Sequence, residues 1–232
     1  MKIINQQKIL TNALKTKGAS LVGYADISIL NTYLSDKYPT AISLCVKYDD
    51  SFVDLWKLKN EENYHDSLTK LNPTMNEIID TCTDQLKQWG YGYKAIPIAI
   101  PIKNEKQLNE INCFSHKFAA TRAGLGWIGK SSLLITPEFG PKVKLCTVLT
   151  NGKFETGNPV ETSKCNSCNL CFKACPFNAI KSHDWHIGIE RDKLFDAHIC
   201  NNKRLNAIHV IGRKSACGNC IQACLKGSHW KK

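Results

Sequence analysis

Cys165, Cys168, Cys171 and Cys175, followed at once by Pro176, form a C-x2-C-x2-C-x3-C-P run, and nothing else in the 232 residues restricts the fold as strongly. Three thiolates on so tight a turn reach three corners of one [4Fe–4S] cube. The fourth, a helical turn further on, points away and ligates a second cube. Pro176 has no amide hydrogen to donate and ends the segment. A second run, Cys217-x2-Cys220-x3-Cys224, lacks a third closely spaced thiol, and Cys200 upstream completes the set. The crossing pattern assigns Cys165, Cys168, Cys171 and Cys224 to one cube, and Cys175, Cys200, Cys217 and Cys220 to the other. Zinc is the competing occupant, because paired CxxC motifs also build tetrahedral zinc sites. The triple run with its CysPro end favours cubes. His183, His186, His198, His209 and His229 lie nearby in sequence and could replace a ligand; a surface position is the ordinary alternative for each.

The start, Met1 to Lys8, turns polar at once and has no signal-peptide core. No apolar run nears the roughly 20 residues of a membrane-spanning helix. The expectation is a cytoplasmic protein with no membrane partner, and a reducing cytoplasm argues against pairing its 12 cysteines as disulfides. Cys45 and Cys146 sit in apolar, strand-like runs and read as small buried hydrophobes; Cys82 and Cys113 have no metal spacing either. The chain has 31 Lys and Arg against 20 Asp and Glu, a formal charge of +11. Such a balance suits nucleic acid. Two oxidised cubes with their thiolates would lower it to roughly +7. From Lys164 onward there are 12 basic and 4 acidic residues, so much of the excess lies where it can offset the cubes.

The turn-rich stretch from Asn151 to Pro159 reads as a boundary between domains 1–158 and 159–232. In the first, Ile3, Ile4, Ile9, Leu10, Ala13 and Leu14 form a helical stripe that Gly18 would stop. Leu21–Tyr24 and Ala41–Val46 read as strands. Asn72-Pro73 opens a helix that Gly90 closes. Lys94–Ile100 is a strand that Pro97 confines to an edge or bulge. Ser115 caps a helix running to Gly124, and strands Leu133–Ile135 and Val143–Leu149 are joined by a turn at 137–141. There is no strict βαβ alternation. The expected class is α+β with a largely antiparallel sheet.

Thr121-Arg122-Ala123-Gly124-Leu125-Gly126-Trp127-Ile128-Gly129-Lys130-Ser131-Ser132 is the second unusual segment. Gly124, Gly126 and Gly129 would let a ligand approach the backbone closely, and Lys130, Ser131 and Ser132 could bind phosphate or amide oxygens. The P-loop spacing is absent. The GxGxxG letters fit, but they follow a helix and precede a strand, so no dinucleotide fold is implied. A glycine-rich structural turn is the plain alternative.

Arg122 to Lys130, then Leu133-Leu134-Ile135 and the cysteine module, together resemble the epoxyqueuosine reductase family over roughly Phe114 to Leu225. The resemblance implies a nitroreductase-like α+β core that binds cobalamin, followed by a ferredoxin-like double [4Fe–4S] domain. It implies a reductase that acts on epoxyqueuosine in tRNA, or on another small electrophile, and is fed by an external flavodoxin- or ferredoxin-type donor. Lys117, Arg122, Gly124, Gly126, Trp127, Gly129, Lys130, Ser131 and Ser132 would then shape the corrinoid site. Cobalamin would bind base-off, since Asp184-Trp185-His186-Ile187-Gly188 misses the D-x-H-x-x-G lower-ligand spacing. The family's proton-donating acid maps near Glu110, and His116 offers an alternative near neutral pH. Eight residues follow Cys224, and Leu225 stands where the family has Pro, so a shortened member is expected. Two other classes remain open: a non-catalytic electron carrier or corrinoid reductase, and a flavin enzyme of nitroreductase type bearing a ferredoxin module.

Overall fold

The computed structural model describes residues 2–49, 70–98, 114–207 and 217–227. In chain order the elements begin with α1 (Lys2–Thr16), β1 (Leu21–Asp26), α2 (Tyr33–Lys37), β2 (Thr40–Lys47), α3 (Asn72–Gln88), β3 (Tyr93–Ile96) and α4 (His116–Arg122). They continue with β4 (Trp127–Ile128), β5 (Leu134–Ile135), β6 (Val143–Thr150), α5 (Leu170–Ala174), α6 (Arg191–Leu194), α7 (Ala197–Ala207) and α8 (Asn219–Gln222). The chain divides into two compact units. One comprises residues 1–46, 72–125 and 144–160; the other comprises 47–71, 126–143 and 161–232.

The first unit is α+β, with a sheet in the order β1-β2-β6-β3. Strand β1 runs antiparallel to β2, with Leu21 opposite Cys45, and β3 runs antiparallel to β6, with Tyr93 opposite Thr150. β2 is buried along its whole length except Lys47, so that the polar Thr40 and Ser43 are buried with its apolar residues. β3 is an edge strand that stops at Ile96, one residue before the proline that could not continue its ladder. Helix α3 buries Met75, Ile78, Ile79, Cys82, Thr83 and Leu86, the spacing of one helical face. Ala25, Ile27, Ala41, Ile96, Ala119, Ala123 and Leu149 pack into one core cluster, so α4 is seated on the sheet by its alanines. Close approach of that helix leaves no room at Gly23, where a Cβ would come within 2.9 Å of Ala123 and Leu125.

Helix α1 departs from expectation in its face. Leu10 and Leu14 are fully buried with Gln6, whereas Ile3, Ile4 and Ile9 are 40–46% exposed. The i, i+4, i+8 seam through Gln6 wins because Tyr91 donates to its amide oxygen at 3.1 Å, which allows a polar residue to occupy an inward position.

In the second unit β4 and β5 form a two-stranded ladder, Trp127 opposite Ile135 and Ile128 opposite Leu134. The turn at 137–141 is closed by Thr136 and Gly140, which exchange both backbone bonds at 2.9 Å. The two segments it joins enter different sheets: Leu134–Ile135 pairs with β4, and Val143–Thr150 lies between β2 and β3. Beyond residue 160 short helices alternate with turns around a small core of Phe177, Ala179, Ile180, Trp185 and Leu194. No helix among the described residues is long and apolar enough to cross a membrane.

Candidate iron–sulfur centre

All eight cysteines of the array are half-buried in the second unit, and every described cysteine is free. Ser163 accepts from the Cys165 amide at 3.2 Å, and the Cys168 amide donates to the Cys165 carbonyl at 3.1 Å, so the first spacer is a tight turn. Asn166 takes the left-handed conformation this turn needs, with φ of 52°. Asn169 then stands at the start of α5 without a side-chain capping bond; the helix carries Cys171 and ends at Cys175. Cys200 lies on α7, whose first turn is tied by Asp196: its carboxylate accepts from the Ile199 amide at 2.8 Å. Gly218, in the left-handed region, precedes α8, which carries Cys220. α8 packs against α5, and Asn219 reaches the Ala174 carbonyl at 3.4 Å.

The thiols influence one another across the array. Burial pushes the Cys171 thiol up to about 11, with Cys165, Cys224 and Cys168 adding to the effect. Burial also raises Cys224, again with Cys165 and Cys168 contributing. Cys220 is pushed up to about 12, by burial first and then by Cys217, Cys200, Cys171 and Cys175. Thiols from distant stretches of sequence thus lie close to one another, with Cys171 adjoining both Cys224 and Cys220. Among the described residues no three His, Cys, Asp or Glu side chains converge as ligands of one metal ion. A cube asks for something else, four thiolates spread around a body with a separate iron at each corner.

The glycine-rich segment is divided by the two units: Arg122–Leu125 belong to the first, Gly126–Ser132 to the second. Its glycines meet the protein itself. A Cβ on Gly124 would lie 2.7 Å from the Asn158 carbonyl oxygen, and one on Gly126 only 2.2 Å from that of Ile135. A Cβ on Gly129 would touch Ile135 at 2.8 Å and stand 3.4 Å from the Cys165 sulfur. Arg122 ends α4, and its charge helps hold the Asp26 carboxyl below the usual range, although the bonds from Ser28 do most of this. Lys117 is half-buried on the same helix. Ser131 and Ser132 are buried.

Lys130 is buried as well, and its ammonium is engaged inside the second unit. It donates to the Asn166 carbonyl at 2.7 Å and to Asn169 Oδ1 at 3.1 Å, with Asp184 at 3.9 Å. Asn169 Oδ1 also accepts from the Ser182 hydroxyl at 2.6 Å. These asparagines carry no motif signature and were not expected to matter; their position inside the two CxxC spacers is the only sequence clue. Trp127 presents the opposite case. It is buried beneath the Lys164 ammonium, 5.9 Å from its ring, and its indole N–H has no hydrogen-bond partner among the described residues.

His116 opens α4 with both ring nitrogens engaged. A carbonyl can only accept, so Nε2 carries the hydrogen and donates to Pro97 at 3.0 Å, while Nδ1 accepts from the Thr147 hydroxyl at 2.9 Å. Burial lowers its pKa below the ordinary 6.5 against the opposing pull of the Pro97 carbonyl. As placed, it ties α4 to β6 and to the segment after β3, with no ring nitrogen left for a substrate. The carbonyl side of that tie borders an open cavity of about 510 Å³, lined by Asn72, Asn76, Ile79 and residues 95–98. Lys144 donates to Asn72 at its edge. Glu110 and Cys113 lie outside the described residues.

Residues 159–181 match the family model of a 4Fe-4S binding domain. An epoxyqueuosine reductase of Listeria monocytogenes is 42% identical over 81 residues, which make up 35% of this chain and 21% of that protein. Among solved structures, an epoxyqueuosine reductase with an epoxyqueuosine-modified tRNA-Tyr stem loop superposes with a TM-score of 0.63 at 19% identity, over 96% of this chain and 65% of that one. A B12-dependent reductive dehalogenase superposes with a TM-score of 0.68 at 18% identity, over 91% of this chain and 30% of that one. The chain thus shares the fold of both groups along nearly its whole length, while its aligned stretch spans about a fifth of the Listeria relative.

Proposed function

We propose that this chain, a relative of the epoxyqueuosine reductases and of the reductive dehalogenases, is an iron–sulfur reductase that uses two [4Fe–4S] cubes and cobalamin. Its substrate would be an organic electrophile, epoxyqueuosine in tRNA or a smaller molecule. A flavodoxin- or ferredoxin-type protein would supply the electrons. The reading is carried by one observation: the 217–224 run lies on the 165–175 run, with α8 packed against α5 and Asn219 within 3.4 Å of the Ala174 carbonyl.

The donor chemistry fits the cubes. Cys165, Cys168, Cys171 and Cys224 would hold one, and Cys175, Cys200, Cys217 and Cys220 the other. These eight cysteines are half-buried, which limits the access of water to a metal centre there. The unpartnered Trp127 indole N–H is a buried donor awaiting an acceptor, which suits an amide-rimmed corrinoid. Lys117, Arg122, Ser131 and Ser132 are the further polar groups proposed for that site, with residues 1–158 forming most of it and 159–232 the cluster domain. When bound, the cubes relay single electrons and the cobalt centre supplies the reductive chemistry. The chain's own part is to seat these groups, to exclude water around them, and to hold His116 neutral behind the wall of the 510 Å³ cavity. The net positive charge of the whole chain, about +7 after two cubes are counted, is compatible with an anionic partner such as tRNA.

Anaerobic purification with iron, sulfide and cobalt analysis tests the reading. About eight irons and eight sulfides per chain, with a corrinoid spectrum on addition of cobalamin, are expected. Zinc without acid-labile sulfide refutes the cubes. Full cubes with a flavin spectrum and no corrinoid binding refute the cobalamin alone.

A further inference from the structure

An ammonium group is costly to bury, and the Lys130 side chain is only 6% exposed. What compensates it is specific. Its two hydrogen bonds go to Asn166 and Asn169, one residue from each spacer of the Cys165–Cys168–Cys171 run. Asn166 is held in a left-handed conformation and Asn169 stands at the start of α5, so the ammonium bonds to both bends of the loop. Its neighbour Gly129 has no side chain, and a Cβ there would stand 3.4 Å from the Cys165 sulfur. The segment 129–130 therefore lies directly behind the first ligand.

We propose that Lys130 is a positioning residue for this loop and that its fixed charge raises the reduction potential of the cube assigned to Cys165, Cys168, Cys171 and Cys224; this rests on that assignment. The step is a one-electron reduction by an external low-potential donor: the oxidised cube gains one electron, and no bond forms or breaks. With four thiolates the cube goes from about −2 to −3, and a nearby positive charge in a water-poor setting favours the more negative state. Asp184, 3.9 Å from the ammonium with its side chain 54% exposed, is a partly screened counter-charge and opposes the effect. The two residues therefore push the same potential in opposite directions, which a purely structural role would not produce.

The test uses the anaerobically purified parent, Lys130→Gln and Asp184→Asn, with iron and sulfide counts and a redox titration with dithionite followed by electron paramagnetic resonance. Lys130→Gln is expected to move the midpoint of one cube to more negative potential and leave the other in place. Asp184→Asn, an exposed change that does not threaten folding, is expected to move the same midpoint the opposite way. Loss of half the iron in Lys130→Gln, with one cube's signal retained, also supports the positioning role. Full iron with both midpoints unmoved in the two variants overturns the proposal while leaving the cubes standing. If Lys130→Gln does not fold, an unmoved midpoint in Asp184→Asn overturns it alone. A parent that holds no iron and sulfide overturns the cube assignment, and the role of Lys130 falls with it.

Discussion

His116 shows how one side chain can couple stability to pH. Protonation would force Nδ1 to give up its acceptor role toward Thr147 inside a half-buried site. Because its folded-state pKa lies below 6.5, the unfolded chain takes the proton first as pH falls. The stabilisation is therefore complete above the ordinary histidine range and is lost as pH drops from there toward the lowered value. Melting temperature followed from pH 7.5 to 5 should fall more steeply for the parent than for His116→Gln. At neutral pH that variant should be less stable by about 1 kcal/mol, the worth of an impaired buried hydrogen bond. At the same scale the sequence was half legible. Buried Lys130 was readable as a functional lysine from its place after Gly129, yet its partners were not, because what a buried ammonium meets is decided by chain segments some 40 residues away. The motif glycines were readable as sites of close approach. That the approaching group is the carbonyl of Ile135 or Asn158 depends on tertiary packing alone.

Elements with strong punctuation were the legible ones. α3 opens at Asn72-Pro73 and α4 is capped by Ser115, whose hydroxyl accepts from the Phe118 amide at 3.3 Å. By contrast β4 has two residues, too few for any alternation, and α7 (AHICNNKRLNA) carries no apolar stripe, so neither had a periodic signal. α7 nonetheless brings Cys200 to α8, and the array depends on such short helices rather than on one long one. Replacing Cys224 by Ser and Cys200 by Ser should therefore affect different cubes. Each variant is expected to retain about half the iron, with a different surviving resonance signal in each. Identical spectra from the two would contradict the crossed allocation.

At the scale of the molecule the two units differ in what holds them together. The first has a four-stranded sheet with buried apolar residues from its helices packed against it. The second has a two-residue ladder, short helices and a small core, and its proposed metal sites would supply much of its folding free energy. Removing iron by oxidation with a chelator should abolish the melting transition of the second unit while the first keeps its own, as near-ultraviolet circular dichroism of Trp185 and Trp89 surroundings would report. Retention of both transitions would show that the thiols are not structural ligands.

Cys165, Cys168 and Cys171 precede Cys224 by more than fifty positions, and in space their thiols lie close enough to influence one another. On a ribosome adding roughly 5–20 residues per second, the three early sulfurs leave the exit tunnel seconds before their fourth companion. Through that interval the nascent chain displays an incomplete claw of reactive thiols. Delivery of iron must then wait for the last cysteine to emerge, or a helper must shield the claw until it does.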